Sequence, residues 1–116
     1  MAYVMTYVAA VPTGKRADYE RVSAIAAAVF KDHGATRVVE CWGADVPPGE
    51  VTSFPLAVQA GPDETVVIGW QEWPSKAAQE AGMPKAMQDP RMAAMQDMPA
   101  DGKRLIFGGF EVVLDI

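Results

Sequence analysis

Two glutamate–tryptophan pairs combine residue types and a spacing that could do chemistry. Glu40 and Trp42 lie two residues apart in one apolar segment, and Trp70 and Glu72 lie two residues apart in another. Residues two apart in a β-strand point to the same face, so each carboxylate lies beside an indole. If both strands present their pairs to one face of a sheet, the four side chains line a pocket. Burial against an indole would raise a glutamate pKa and make a general acid or base near neutral pH.

A second interpretation of these two glutamates stays open. Each carboxylate would then lie at the end of a strand, where it is solvated or paired with a cation, as most carboxylates in proteins are. The cations that could form such pairs are Arg37, Arg91, Lys103 and Arg104.

The motif DPRM, residues 89–92, also has two interpretations. Asp89 followed by Pro90 is typical of the N-cap and first position of a helix, so the motif can serve capping and packing alone. A rigid turn could instead hold Arg91 as a clamp for a ligand carboxylate. Five methionines between residues 83 and 98 likewise predict either core packing or the adaptable wall of an apolar pocket.

The remaining reactive side chains do not form a site. Cys41 points away from the Glu40 face, and nothing places the sole histidine, His33, near it, so we expect a buried and inert thiol. The spacings HxH, HExxH and CxxC do not occur, nor does a calcium loop or a glycine-rich phosphate loop. We therefore expect no metal and no tightly bound cofactor.

Length and charge limit the class of protein. The 116 residues suffice for a core, and we expect a single domain over residues 1–116. Fifteen acidic and ten basic residues give a net charge of −5, which argues against nucleic acid as a partner. The apolar N-terminal segment alternates like a strand, is too short to span a bilayer and lacks a basic start. With one cysteine and no possible intrachain disulfide, these features predict a cytoplasmic protein without a membrane partner.

Periodicity and turn residues define the elements that must position these side chains. Alternating apolar residues predict strands, and apolar residues three and four apart predict helices. Pro12 should end the first strand, Thr13 should cap the first helix, and Gly34 should end that helix. The predicted elements are strand Tyr3–Val11, helix Lys15–Asp32, strand Ala35–Gly43, strand Thr52–Ala60, strand Thr65–Trp73, a helix from Lys76, a short helix Arg91–Asp97 and strand Arg104–Leu114.

Three segments carry more specific predictions. Residues 61–63, Gly-Pro-Asp, are typical of a turn, so Leu56–Trp73 should form a hairpin. Pro84 removes a helical hydrogen bond and clashes with the preceding turn, which predicts a kink or break near Gly82. The pair Gly108-Gly109 inside the last strand predicts a bulge or the close approach of another backbone.

The order of elements, β-α-β-(β)β-α-β, is that of an α+β, ferredoxin-like fold with the split βαβ arrangement and one added strand. Its antiparallel sheet carries helices on one face only. The strands here are apolar on both faces, and soluble monomers rarely expose a large apolar patch. We therefore predict a dimeric α+β barrel, a homodimer of C2 symmetry in which the two sheets face each other.

Four motifs in a fixed order resemble a known family. RVVECWGADVPPG, WPSK, DPRM and DGKRLIFGGFE together resemble the DUF1428 family of small bacterial proteins, and the resemblance spans Tyr3 to Asp115. It implies a ferredoxin-like, dimeric α+β barrel in a bacterial cytoplasm. It implies no activity and no catalytic residue, because the family is defined by unknown function. Pro84 departs from the family pattern, which is uninterrupted helix at this position.

Two functions fit these observations. The first is a homodimeric barrel that binds a small, partly apolar molecule between sheet and helices and acts on it without a cofactor. The alternative is a non-catalytic interaction or stress-response module, whose sheet is filled by its partner. A cavity that places Trp42 or Trp70 beside an ionisable group favours the first, and solid packing favours the second. The candidate ligand-binding residues are Glu40, Trp42, Trp70, Glu72 and Arg91, and the sequence identifies no catalytic residue.

Overall fold

Residues 2–116, which the computed structural model describes, form an antiparallel sheet with the two long helices packed on one of its faces. A 3₁₀ turn, Thr13–Lys15, leads from the first strand into the first helix, and a long 3₁₀ helix spans Pro90–Asp97. The other elements are β1 (Tyr3–Pro12), α1 (Arg16–Asp32), β2 (Arg37–Trp42), α2 (Phe54–Ala57), β3 (Glu64–Trp73), α3 (Lys76–Gln88) and β4 (Ile106–Glu111).

The strands lie in the order β2-β3-β1-β4, and each neighbouring pair is antiparallel. β1 and β2 are therefore parallel to each other with β3 between them, which is the split βαβ arrangement. β1 pairs with β3 along its whole length, from Tyr3 opposite Trp73 to Pro12 opposite Glu64. The predicted α+β, ferredoxin-like fold is confirmed, without the added strand.

Register decides which side chains share a face of the sheet. Residues directly opposite each other in antiparallel strands point to the same side. Glu40 lies opposite Gly69, and Gly69 lies opposite Tyr7, so these residues share one side. We call it the helix face, because α1 packs on it through Tyr19. The other side, the open face, carries Thr6, Val8, Cys41, Ile68, Trp70, Glu72, Ile106 and Phe110.

Trp73 anchors the helices to the sheet. It ends β3 on the helix face and is only 1% exposed. Its ring lies against Gly34, just after α1, and against Gly82 within α3. Both helices therefore pack over the same indole, which fixes their positions relative to the sheet and to each other.

The open face is covered by its own chain at one end only. Val58, from the segment after α2, packs there on Ala10 and Val66, and all three are buried. Elsewhere the face is accessible: Phe110 is 58% exposed and Ile106 is 46% exposed. A large part of this apolar surface therefore lacks cover within one chain.

The strand predicted over Thr52–Ala60 is wrong, and so is the hairpin predicted over Leu56–Trp73, because the segment forms α2. Ser53 caps this helix, since its Oγ accepts the N–H three residues later at 3.1 Å. Pro55 near the start suits a first helical turn. Gln59 has a φ of 51°, so the chain turns sharply there and cannot continue as a strand.

Of the kink or break predicted near Gly82-Met83-Pro84, the break is wrong, because α3 continues through Pro84 to Gln88. Pro84 lies on the exposed side of the helix, whereas Gly82 and Ala86 are buried. A proline inside a helix costs about 3 kcal/mol or more. Packing of the buried side of α3 offsets that cost.

The last strand, β4, is shorter than predicted, since it ends at Glu111 and not at Leu114. Its pairing with β1 is continuous through Gly108 and Gly109, so the predicted bulge does not form. A close approach does occur at Gly109, but by a side chain and not by another backbone. A β-carbon at this position would overlap the hydroxyl group of Tyr3.

Arg104 joins three segments at one end of the sheet. Its guanidinium donates to the two carboxylate oxygens of Glu64 at 2.7 and 2.8 Å, to Asp101 at 3.0 Å and to the carbonyl of Gln59 at 3.0 Å. The hydrogen bonds that Glu64 accepts from Arg104, with a further one from the N–H of Gly61, lower the pKa of Glu64 to about 2.

We expect Arg104→Met to lower the free energy of unfolding at neutral pH by more than the loss of an exposed ion pair does, because it removes hydrogen bonds from a charged group to three segments of the chain. The folded pKa of Glu64 lies below its unfolded value of 4.5. The contribution of this pair is therefore fully present above the unfolded pKa and is lost as pH falls through the folded one. Urea denaturation should show the difference between wild type and variant shrinking from about pH 5 down to about pH 2.

Arg21→Met is the matched control, because the ion pairs of Arg21 within residues 2–116 are exposed and long, at 3.9 and 3.8 Å. Such pairs contribute about 0–1 kcal/mol. Equal losses in the two variants would show that Arg104 contributes no more than a surface charge.

Candidate functional site

Three oxygen atoms meet on the helix face, from Tyr7 of β1, Tyr19 of α1 and Glu40 of β2. Glu40 Oε2 accepts a hydrogen bond from Tyr7 Oη, and another from Tyr19 Oη at 2.7 Å. The two phenol oxygens are 2.8 Å apart. This oxygen of the carboxylate is therefore held by two phenols, although Glu40 as a whole residue is exposed.

This arrangement shifts the pKa of all three groups. Burial raises the pKa of Glu40, the hydrogen bonds from Tyr7 and Tyr19 lower it, and the net shift is upward. Burial, chiefly, also raises the pKa of both tyrosines, and the nearby Glu40 carboxylate adds to the effect. The phenols therefore stay protonated and act as donors, while the carboxyl group titrates closer to neutral pH than a solvated glutamate.

Gly69 of β3 makes room for this cluster. A β-carbon at this position would overlap the Glu40 carboxylate and the ring of Tyr7. Gly69 is itself buried between its neighbouring strands. A residue without a side chain is thus required here by the close approach of the functional groups.

A small cavity of about 180 Å³ opens beside the cluster, between the sheet and α1, and we call it the inner cavity. Residues of the long 3₁₀ helix and of the loop that follows close one side of it. Its apolar walls include Ala26, Phe30, Val67, Met95, Met98 and Leu105. Two of the five clustered methionines thus line a cavity, as the pocket-wall interpretation of these residues predicts.

Two further polar groups lie in the wall of the inner cavity. Ser23 is 8% exposed, and its Oγ has no hydrogen-bond partner within residues 2–116, although it lies near enough to Tyr19 to affect the pKa of that phenol. Gln71 Oε1 accepts the indole N–H of Trp73 at 3.1 Å. Because an indole N–H can only donate, the amide oxygen must face Trp73, and the Gln71 nitrogen remains as a donor.

A second, more open space of about 320 Å³ lies between α1 and β2, and we call it the outer groove. Trp42 lines it, with its ring 5.7 Å from that of Tyr19 and the guanidinium of Arg16 5.3 Å from its centre. Tyr19 and Glu40 line both the outer groove and the inner cavity. Their hydrogen bond therefore lies between the two spaces.

The structure separates the two glutamate–tryptophan pairs of the sequence. Glu40 and Trp42 lie on the helix face, whereas Trp70 and Glu72 lie on the open face. Glu72 Oε2 accepts the Trp70 indole N–H at 2.9 Å and lies 3.8 Å from the guanidinium of Arg37. The four side chains do not form one pocket, because the register places β2 position 40 and β3 position 72 on opposite sides of the sheet.

Arg91 is engaged by carboxylates of its own chain. It donates to Asp89 at 2.7 and 3.0 Å and lies 2.9 Å from Asp32. Asp89 also caps the long 3₁₀ helix through the Arg91 N–H at 3.0 Å and lies 3.1 Å from His33. The hydrogen bonds from Arg91 lower the pKa of Asp89, and those carboxylates raise the pKa of Arg91. This geometry favours capping and packing, and Arg91 lines neither the inner cavity nor the outer groove.

The remaining surfaces contain fewer groups that could bind or act on a ligand. Cys41 is a free, half-buried thiol on the open face. Within residues 2–116, no group of three or more His, Cys, Asp or Glu side chains could hold a metal ion, and no helix in this part of the chain has the length and apolar character needed to cross a bilayer. A groove of about 420 Å³ near Arg104 is larger than the inner cavity. Its arginine is already paired with Glu64 and Asp101, and its other charged side chains include the exposed Lys15 and Asp97, so among the described residues that line this groove no carboxylate is held by two phenols.

Sequence reasoning missed four of the polar residues at this site: Tyr7, Tyr19, Ser23 and Gln71. Tyr19 offered a signal, because a tyrosine within the apolar stripe of a buried helix needs a partner for its hydroxyl group. Tyr7 could be joined to Glu40 only once the register of β1, β3 and β2 was known. Gln71 gave no signal, since its role depends on the Trp73 indole two residues later.

The comparisons with known proteins identify close relatives in sequence. A family model described as a protein of unknown function, DUF1428, matches residues 2–102. The uncharacterized protein YbaA of Escherichia coli strain K12 is 50% identical over 116 residues, which cover 99% of each chain. The uncharacterized protein YbaA of Shigella flexneri shows the same 50% identity and 99% coverage of each chain.

Solved structures share the fold at low identity. A mutant of SnoaB, a cofactor-independent oxygenase from Streptomyces nogalater, matches with a TM-score of 0.62 and 17% identity, covering 99% of this chain and 96% of that one. A dimeric ferredoxin-like protein from an uncultured marine organism matches with a TM-score of 0.59 and 12% identity over 100% of both chains. Another, from Jannaschia sp. CCS1, has a TM-score of 0.60 and 15% identity, with 95% of this chain and 99% of that one covered. At such identities the likeness shows the fold alone.

Proposed function

The chain belongs to the DUF1428 family of proteins of unknown function, and we propose that it binds a small, largely apolar molecule beside Glu40, between its sheet and α1. The observation that carries this proposal is the inner cavity, where apolar walls surround a carboxylate held by two phenols. Ligand sites are typically apolar spaces with a few convergent polar groups and a perturbed pKa.

The size and the charge of the inner cavity limit the class of ligand that it can bind. At about 180 Å³, the inner cavity is below the roughly 300–1,000 Å³ usual for drug-sized ligands. Its lining contains no lysine or arginine, whereas Glu40 supplies a negative charge. A neutral molecule with one polar group fits this lining better than a carboxylate or a phosphate.

The neighbouring fold supports, but does not assign, an enzymatic role. SnoaB is described as a cofactor-independent oxygenase, so at least one protein of this fold works without a cofactor. The link is one of fold only. The non-catalytic alternative requires solid packing around the tryptophans, and Trp42 instead lines a groove beside an ionisable group.

We further propose that the protein works as a homodimer in which the open faces of two copies meet. The open face exposes Ile106 and Phe110, and the tail that follows β4 exposes Val113 and Leu114 at 89% and 73%. Two neighbours of this fold are described as dimeric ferredoxin-like proteins. A second copy would remove this apolar surface from water. We place this dimer in the cytoplasm, where a reducing environment keeps Cys41 free.

Tryptophan fluorescence with a panel of small neutral aromatic and alicyclic compounds tests the proposed binding. We expect at least one compound to give a saturable change in emission, because Trp42 lies beside the Glu40–Tyr19 pair. The variant Trp42→Phe should lose at least half of that change. The absence of any saturable change across the panel would contradict the proposal.

Trp70→Phe is the matched control, because Trp70 lies on the open face and away from both spaces. It should keep the ligand-induced change. If Trp70→Phe removes the change and Trp42→Phe keeps it, the ligand binds on the open face and not on the helix face.

A further inference from the structure

The cluster of Tyr7, Tyr19 and Glu40 has a place for one more proton. Each pair of its three oxygens lies within hydrogen-bonding distance. With Glu40 ionised, the two phenols supply only two hydrogens for three contacts, since each phenol carries one. A proton on the carboxyl group would let each oxygen donate once and accept once. The cluster can therefore take up a proton with little rearrangement.

We propose that the inner cavity catalyses proton transfer at a carbon atom next to a carbonyl group, with Glu40 as the general base. This inference rests on the proposed function and adds a substrate class, which is a small, neutral, largely apolar ketone or aldehyde with a hydrogen on that carbon. Gln71 and Ser23 supply the hydrogen bonds to the carbonyl oxygen. Tyr7 and Tyr19 are positioning residues, because they act through Glu40.

The step needs no oxidant, reductant or further reactant. The Glu40 carboxylate forms an O–H bond with the proton, and the C–H bond breaks. The electron pair of that bond becomes the C=C bond of an enolate, and the pair of the C=O π bond moves onto oxygen. Return of the proton to the same carbon gives exchange or racemisation, and return to the far carbon of a conjugated system gives an isomer. Atoms and electrons balance in every case.

The donors for the enolate oxygen are two polar groups in the wall of the inner cavity that lie outside the cluster of three oxygens. Ser23 Oγ is buried and has no hydrogen-bond partner within residues 2–116. The amide nitrogen of Gln71 is fixed as a donor, because Trp73 holds the amide oxygen at 3.1 Å. Fixed donors aimed at developing negative charge in an apolar site stabilise a transition state more than they do in water.

The outer groove connects the Glu40 carboxyl group to solvent, so the proton that this group takes up can exchange with water. Glu40 and Tyr19 line the inner cavity on one side and the outer groove on the other. Glu40 is exposed to solvent as a residue even though one carboxylate oxygen is held by two phenols. A proton taken from a ligand inside can therefore exchange with water in the groove without the ligand leaving.

Deuterium exchange tests this proposal on the full chain. The probe is 2-indanone, a small neutral ketone, followed in D₂O by the loss of its C1 and C3 proton signals in NMR spectra. We expect exchange well above the buffer rate with wild type. Glu40→Gln should reduce the protein-dependent rate about 100-fold or more, as for loss of a general base. Gln71→Met should reduce it about 100-fold, as for loss of one oxyanion donor.

Glu80→Gln is the matched control, because Glu80 is an exposed glutamate of α3 paired with Lys76 at 3.7 Å. It should leave the rate unchanged. Tyr7→Phe adds a readout that a structural role would not move. It removes a hydrogen bond that lowers the Glu40 pKa, so the acid limb of the pH–rate profile should shift to higher pH.

Binding of 2-indanone is measured in the same samples by tryptophan fluorescence, which separates the two proposals. Binding without exchange would overturn the proton transfer and leave the ligand site standing. The absence of both binding and exchange of 2-indanone would overturn the proton transfer, and the ligand site is overturned with it if no compound of the panel binds. Exchange that persists in folded Glu40→Gln, or a Tyr7→Phe profile that falls equally at every pH, would remove Glu40 as the base.

Discussion

Phe110→Asp should convert the proposed homodimer into a monomer. Phe110 lies on the open face of edge strand β4 and is 58% exposed in a single copy, so the change should leave the fold of one copy intact. A buried aromatic residue at an interface contributes about 2–4 kcal/mol, and a charge in its place must also be desolvated. We expect the dimer dissociation constant to rise about 30-fold to 1,000-fold. Sedimentation velocity at micromolar concentration measures it.

Phe107→Asp is the matched control. Phe107 is in the same strand, is 74% exposed and points to the helix face. It should leave the dimer intact if the two open faces form the interface. Equal dissociation of both variants would indicate that the interface lies at the edge of β4 and not on the open face. A monomeric wild type would contradict the dimer but leave the inner cavity in place, because each residue of that cavity comes from one chain.

Most strands and helices could be predicted from local sequence patterns, because tertiary packing agrees with those patterns. Alternation over Thr65–Trp73 and the three- and four-residue spacing in α1 depend only on burial of one face, so strand and helix were predicted within one or two residues. One error lies where packing outweighs propensity, and another lies where a local helix cap was overlooked. Pro84 stays inside α3 because buried neighbours hold the helix together. The apolar residues before Gly61 form α2 because Ser53 caps a helix there.

Half of the candidate site could be predicted, and the reason lies in the register. The spacing of Glu40 and Trp42 placed both on one face of β2, and this pair does line a single groove. The spacing of Trp70 and Glu72 was equally regular, yet no local pattern says which side of β3 faces α1. That choice depends on pairing between strands that are distant in the chain. The same long-range pairing joins Tyr7 to Glu40, which explains why the phenols were missed.

Gly69→Ala should disrupt the candidate site more than it disrupts the fold. The added methyl group would overlap the Glu40 carboxylate and the Tyr7 ring. The end of a glutamate side chain can move, so the cost to stability should stay near the 1–3 kcal/mol typical of overpacking. The displaced carboxylate, however, loses both phenols and its place beside the inner cavity. We expect the affinity for the ligand that gives the saturable fluorescence change to fall at least 10-fold.

Gly14→Ala is the control glycine, because a β-carbon there meets nothing within 4 Å. It should change neither the midpoint of urea denaturation nor ligand binding. The comparison of the two variants separates a role of Gly69 in strand packing from a role in placing the Glu40 carboxylate beside the inner cavity. If Gly69→Ala loses stability but keeps full affinity, the close approach serves packing alone, and the Tyr7–Tyr19–Glu40 cluster is then not the polar end of a ligand site. If affinity falls while the variant stays folded, the glycine is present because the carboxylate must come within reach of two phenols.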